Sequence, residues 1–367
     1  MKAILFLDDW MVEHRDSLER VWGKPELVKE LFTDYYPGFL GYGGYMTVFH
    51  DEQVSRYVLY LAVFPPEADP GVFVVRLESD DPYEWPHPVY DAGVTPAWKG
   101  FENVVLDQHG QRFWPFSIRP LAGTPIADRG YVTGEWVMPP LADRQQAARE
   151  GVSALGFSQD GLNFEVDRDN PWRRPGSDVP GHITWNEAAG HFNIYTRNVN
   201  LDRRIAVSTS PDLRSFAEPF TCIQPDALDR VGTEFYEMPA HPYEDIMVGF
   251  LKVQTVDHFE TRRYKRTGRM ETQLAYSYNG LSWYRPNREA FLGLRDYGLL
   301  GGGQVYGQEL LRTPDDRLLF YSSTTMGEHA FYPDMQEAGM DTTGAPHSST
   351  ASKQSATLSR RFRISSG

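Results

Sequence analysis

The chain has almost no cysteine, no basic tract and no long apolar run. Cys222 is the one cysteine among 367 residues, which excludes an internal disulfide and a cysteine metal cluster and suits a small buried hydrophobe. Lys and Arg number 36 against 50 Asp and Glu, a formal net charge of −14. An acidic chain of this kind argues against nucleic acid and anionic membrane as partners. The apolar run Ala3–Leu7 stops at Asp8 and Asp9, too short for a secretory signal and far too short to span a bilayer. The expected location is therefore the cytoplasm. Helical periodicity is also scarce: only Lys24–Phe32 and Asp143–Glu150 read as short helices.

Aromatics and turn formers are abundant instead. Nine Trp, 20 Tyr and 21 Phe suit many short strands, and 26 Pro with 32 Gly supply frequent turns. Five segments share one design, an alternating apolar run, a polar turn and an aromatic-rich run. They are Tyr45–Phe64, Glu102–Ile118, His182–Arg197, Met238–Val253 and Val305–Ser323. Period-2 alternation around a charged or glycine-bearing turn is the signature of a hairpin. A third strand follows four of them, in Val75–Trp85, Leu155–Phe164, Ile205–Phe216 and Leu274–Trp283. Each ends in Ser, then an Asp or Asn turn, then an aromatic. Such a turn needs a residue tolerant of the left-handed region.

Repeats of this kind predict an all-β fold, a five-bladed β-propeller over residues 1–340, with a Ser/Thr-rich tail, partly disordered, at 341–367. The fifth unit lacks its third strand. Either Ala3–Leu7 or Thr357–Ile364 completes it.

In a propeller the first strand of every blade lines the axis, so polar residues at its entrance converge. These entrances hold Glu102 and Asn103, Asp178 ahead of His182, Glu234 and Glu237 ahead of Met238, and Gln304 with Tyr306. The opening strand adds Asp8 and Asp9. Carboxylates from several blades repel one another unless a ligand or a reaction needs them. Cleavage of a glycosidic bond needs two, one neutral to protonate the leaving oxygen and one ionised. Bland roles stand beside these: Asp8 or Asp9 as a turn cap, Asp178 as an Asx turn. Glu187 and Glu309, in mid-hairpin, are expected to be solvated. Trp10, Tyr42, Trp98, Tyr236 and Tyr306 are candidates for stacking on sugar, against a core role for most aromatics. His182, His241 and His329 show no metal-ligand spacing, so hydrogen-bonding roles are expected and no metal or cofactor is implied.

The residues resemble the five-bladed propeller glycoside hydrolases, the superfamily of families 32, 43, 62, 68, 117 and 130, and more closely bacterial family 32-like and 43-like proteins. Phe6-Leu-Asp-Asp9 resembles their opening strand, where an Asp is nucleophile or base. Asp178 with His182-Ile-Thr-Trp-Asn-Glu187 resembles their second-carboxylate blade, and Phe235-Tyr-Glu-Met-Pro239 resembles the strand carrying the general acid. The Asn-Asp-Pro and Arg-Asp-Pro motifs of the fructan-cleaving members are absent, which argues against a fructofuranosidase. The resemblance implies a glycosidase for a small neutral oligosaccharide or a terminal sugar, furanosides included. Asp9 (or Asp8) is then nucleophile or base, Asp178 orients substrate and tunes the acid, and Glu237 (or Glu234) is the acid. Trp10, Glu102, Asn103, His182, Tyr236, His241, Gln304 and Tyr306 would contact the sugar. Two alternatives remain open. One is a sugar-binding propeller without catalysis. The other is a phosphorylase, whose funnel needs Arg or Lys for phosphate, with Arg119, Arg197 and Arg204 available.

Overall fold

A computed structural model describes residues 5, 7–10, 12–17, 19–32, 40–41, 46–64, 73–91, 93–141, 146–147, 150–199, 202–258, 267–297, 299–325, 327–329 and 355–362. The fold is an all-β propeller, about 47% strand and 3% helix. Among the described residues, no helix is long and apolar enough to cross a membrane.

Among the described residues the strands pair into four sheets where five were expected. The first holds Thr47–Asp51, Arg56–Phe64 and Phe73–Ser79, with Leu40–Gly41 beside the middle strand. In the second, Phe116–Pro120, Tyr131–Val137, Val152–Ser158, Asn163–Val166 and Leu106–Asp107 lie in that order. The third runs His182–Asn186, His191–Val199, Arg203–Ser210, Phe220–Ile223. The fourth has eight strands because the last two repeats are joined. One half holds Thr233–Phe235 and Ala240–Tyr243 on Ile246–His258, then Thr267–Ser277. The other runs Gln304–Arg312, Leu318–Thr325, Ser355–Phe362, Glu26–Leu31. Among the described residues a single parallel pair, Met270 with Gln304, links the halves.

Period-2 alternation explains the packing, because successive side chains of a strand serve opposite faces. In Arg56–Phe64, Leu59, Leu61 and Val63 pack with Leu311, Leu319 and Tyr321, while Val58, Tyr60 and Ala62 pack with Ile118, Tyr131 and Ala154. Further layers join Val132 and Leu155 to Ile183 and Ile194, and Val207 and Ile205 to Phe235 and Leu251. A last layer joins Val248 and Phe250 to Val305 and Phe320, so the two halves of the eight-stranded sheet also face each other. Each buried large apolar side chain contributes about 1.5–3 kcal/mol.

Three of the four serine-Asx endings form as expected; at the first, Ser79 accepts from the Asp81 N–H and Asp81 from the Tyr83 N–H alone. Ser158, Ser210 and Ser277 accept from the backbone N–H three residues on, and Asp160, Asp212 and Asn279 accept two N–H groups each. The left-handed position falls to Gly161, Leu213 and Gly280, at φ 71°, 55° and 74°.

Three local expectations need correction. Glu26–Leu31, expected within a helix, is a strand paired with Ser355–Phe362; pairing to a sheet edge outweighs weak helix propensity. The second hairpin does not start at Glu102. Asp107 accepts from the backbone of His109 and Gln111, so the polar turn there is local and mimics a hairpin. The innermost strand of that sheet is Phe116–Pro120 instead. Of the two runs that were to complete the fifth unit, the later pairs with Leu318–Thr325. Leu5 and Leu7 pack against the Val248–Phe320 layer; the rest of Ala3–Leu7 lies outside the described residues.

Candidate active site

Inner strands and the strands paired with them bring charged side chains together in ion pairs. Asp178, just ahead of His182–Asn186, accepts from Arg197 Nη1 at 2.6 Å and is the exposed member, at 46%. Arg197 also donates Nε to the Tyr236 carbonyl at 2.8 Å and lies 4.1 Å over the Tyr236 ring. Arg203, 5.3 Å from the centre of the same ring, donates to Glu234 and Gln254, both at 2.9 Å. Tyr236 meets the His329 ring edge-on at 4.9 Å. Deeper, Glu237 pairs with Lys252, and both side chains are fully buried. Backbone pairing fixes that partnership, since Lys252 N–H donates to the Glu237 carbonyl. His182 Nε2 stands 3.5 Å from Glu237 Oε2, and Lys252 Nζ lies 4.8 Å over the Tyr306 ring.

Next to this group, Glu309 accepts two bonds of 2.7 Å from Arg119 and stands 3.7 Å from His241 Nδ1. His241 Nε2 bonds the Gln308 carbonyl. A bulge between Gly307 and Glu309 interrupts the ladder here, a device that re-aims a side chain. Glu309, expected to be solvated, is buried: an innermost strand has neighbours on both sides as well as the axis.

Dryness controls the protonation states. Burial pushes the Glu309 carboxyl up to about 7, against the opposing pull of Arg119. Burial, aided by Arg119, pushes His241 down to about 3, so it is neutral. His182 falls well below the usual histidine range, through burial and then Lys252. Burial, reinforced by Arg197, pushes the Lys252 ammonium well below the usual lysine range. Each of the four cations Arg119, Arg197, Arg203 and Lys252 faces one of the carboxylates Glu309, Asp178, Glu234 and Glu237. Their formal charges balance when all four carboxylates are ionised.

The expected residues divide accordingly. Asp178, Glu234, Glu237, His182, Tyr236, His241 and Tyr306 come together. Gln304 is buried beside them, donating to Thr325 Oγ1 at 2.8 Å and the Gly327 carbonyl at 3.0 Å. Asp8, Asp9 and Trp10 do not join them. Asp8 accepts from the Tyr276 and Tyr278 hydroxyls at 2.6 and 3.0 Å. Tyr276 lies opposite Val248, four residues along the strand from Lys252, or about 13 Å. Asp9 is 57% exposed and paired with Arg20, and Trp10 is 81% exposed. Glu102 and Asn103 are exposed, since their segment is not an innermost strand. Trp98 packs in the core, Arg204 pairs with Asp202 at the rim, and Tyr42 lies outside the described residues. Glu187 is exposed, as expected.

Sequence reasoning missed Glu309, Lys252, Arg203 and Gln254. A charged residue in phase with buried neighbours, as in Gly249-Phe-Leu-Lys-Val, was the available signal.

The fold is similar to several solved structures. An N-acetylgalactosamine deacetylase from F. plautii in complex with blood group B trisaccharide superposes with a TM-score of 0.57 at 13% identity, over 92% of this chain and 94% of that one. A thermostable family-43 glycoside hydrolase gives 0.53 at 17%, over 89% and 93%. A structure described as a glycoside hydrolase gives 0.50 at 12%, over 90% and 92%. At such identities the likeness establishes the propeller fold. No family model matches the chain, and no curated protein matches it in sequence.

Proposed function

We propose that the chain is a five-bladed propeller glycosidase, its eight-stranded sheet comprising two blades, and that it cleaves a neutral oligosaccharide or a terminal sugar. One observation carries the reading: Asp178, Glu234 and Glu237 come from adjoining blades and grade from half-exposed to fully buried around Tyr236. Glycosidic cleavage asks for one carboxylate that stays ionised and one that holds a proton in dry surroundings. Asp178, solvent-facing against Arg197, suits the ionised role. Glu237, or Glu234, suits the acid. Lys252, its ammonium destabilised by burial, is a partner able to surrender a proton to Glu237. The five inter-blade apolar layers support the blade count. Cations do reach the funnel, but each is engaged by a carboxylate that competes with phosphate for it. That favours hydrolysis over phosphorolysis.

A second reading, sugar binding without cleavage, is favoured by Asp8 and Asp9 lying away from Glu237. Screening the purified chain against neutral aryl glycosides, beside Asp178→Asn and Glu237→Gln, separates the two. Turnover that both variants reduce supports the hydrolase. Binding by calorimetry with no turnover on any substrate transfers support to the binding propeller.

A further inference from the structure

A cavity of about 430 Å³ opens away from the axis, at the rim between the third sheet and the first half of the fourth. It lies along Phe220–Ile223, the outermost strand of the third sheet, three strand spacings from His182–Asn186, or about 14 Å. Trp283, Arg285, Arg288, Asp226, Gln224 and Thr221 line it.

Its polar groups are fixed before any ligand arrives. Arg285, with a side chain 3% exposed, donates to Gln273 at 2.9 Å and Asp229 at 2.5 Å and lies 4.7 Å over the Phe235 ring. Arg288 donates to Asp226 at 2.6 Å, with Asp229 Oδ1 at 3.1 Å from its other terminal nitrogen. Gln224 accepts from Arg204 at 2.6 Å. Two guanidinium groups balance two carboxylates, and hydrogen bonds from Arg288 hold Asp226 below the usual carboxylate range. An anion therefore finds no surplus positive charge here. A polar, uncharged molecule finds a dense array of donors and acceptors beside an indole and Ile223. Preorganised polar groups of this kind lose little freedom on binding, and the volume fits a small ligand.

We propose that this rim cavity is a second carbohydrate site, binding a neutral mono- or disaccharide through Arg288, Gln224 and Thr221 beside the small accessible part of Trp283, independently of the funnel. It goes beyond the glycosidase reading and does not depend on it.

Calorimetry with a panel of neutral mono- and disaccharides, on the full chain, tests the idea. Arg288→Ala removes donors from the cavity; Gln224→Tyr puts a bulkier side chain on its lining while leaving the Arg285–Asp229 pair intact. The expected result is a binding event weakened at least about tenfold in both variants and retained in the Asp178→Asn/Glu237→Gln double variant. Aryl-glycoside hydrolysis, if present, stays unchanged in the rim variants, so failure here is distinguishable from failure of the funnel. Should Arg288→Ala not fold, Gln224→Tyr alone decides. Binding by no saccharide at millimolar concentration overturns the proposal, as does equal binding in the rim variants. Preferential binding of inorganic phosphate overturns it too.

Discussion

Glu309 offers the sharpest test of the electrostatics on the axis. Its carboxyl, fully buried against Arg119, is raised from 4.5 to about 7 because burial outweighs the guanidinium. A folded state that holds a proton more tightly than the unfolded state loses stability as pH rises through the interval where only the folded form is protonated. The contribution is fully present below pH 4.5 and is lost as pH rises through 7. At about 1.4 kcal/mol per tenfold change in proton affinity, the interval is worth about 3 kcal/mol. Glu309→Gln keeps the shape of the protonated side chain and cannot ionise. The variant should match the wild type near pH 4.5 and exceed its stability by up to about 3 kcal/mol at pH 8. His241, pushed down to about 3, acts in the opposite sense: its contribution is present above pH 6.5 and lost as pH falls. Its contribution is complete above pH 6.5, so it does not vary across the upper part of the comparison. Urea unfolding at a series of pH values measures the difference directly. Parallel profiles, or a wild type that is the more stable protein at pH 8, would refute the reasoning, because burial would then not outweigh the pair.

Two further outcomes follow from geometry away from the axis. Asp8→Ala removes an acceptor for Tyr276, Tyr278 and the Trp10 N–H; it should cost about 1–3 kcal/mol in chemical denaturation while turnover stays unchanged. Gly280→Ala forces a Cβ to within 2.2 Å of Asn193 Nδ2 at φ 74°; a loss of at least about 1 kcal/mol is expected, read as a lower thermal midpoint.

The repeat was legible because it is written in local chemistry. Alternating runs and serine-Asx endings specify strands and turns within a dozen residues, and the endings near Ser158, Ser210 and Ser277 formed as read. The number of sheets was not legible, because one parallel pair between Met270 and Gln304 depends on contacts distant in sequence. Asp107 misled for a related reason: an Asx turn looks the same in a loop as in a hairpin. At the site, Asp178 and Glu237 were found because they precede the strands His182–Asn186 and Ala240–Tyr243, and Glu234 because it lies just ahead of Glu237, in Thr233–Phe235. Glu309 and Lys252 lie inside strands, where a charge is ordinarily solvent-facing. Only the closing of the ring makes them dry. Asp9 satisfied a motif and a position in the chain, but Arg20 and the tyrosines around Asp8 hold that segment elsewhere.

The location of a bound neutral oligosaccharide tests the central claim most directly. In crystals soaked with substrate, or in the Glu237→Gln variant if the wild type turns it over, a sugar ring should lie against Tyr236. Its hydroxyls should lie within hydrogen-bonding distance of Asp178 and Glu234. Sugar found only at Asp8 and Asp9, or nowhere along the axis, would contradict the assignment of the funnel as the site of chemistry.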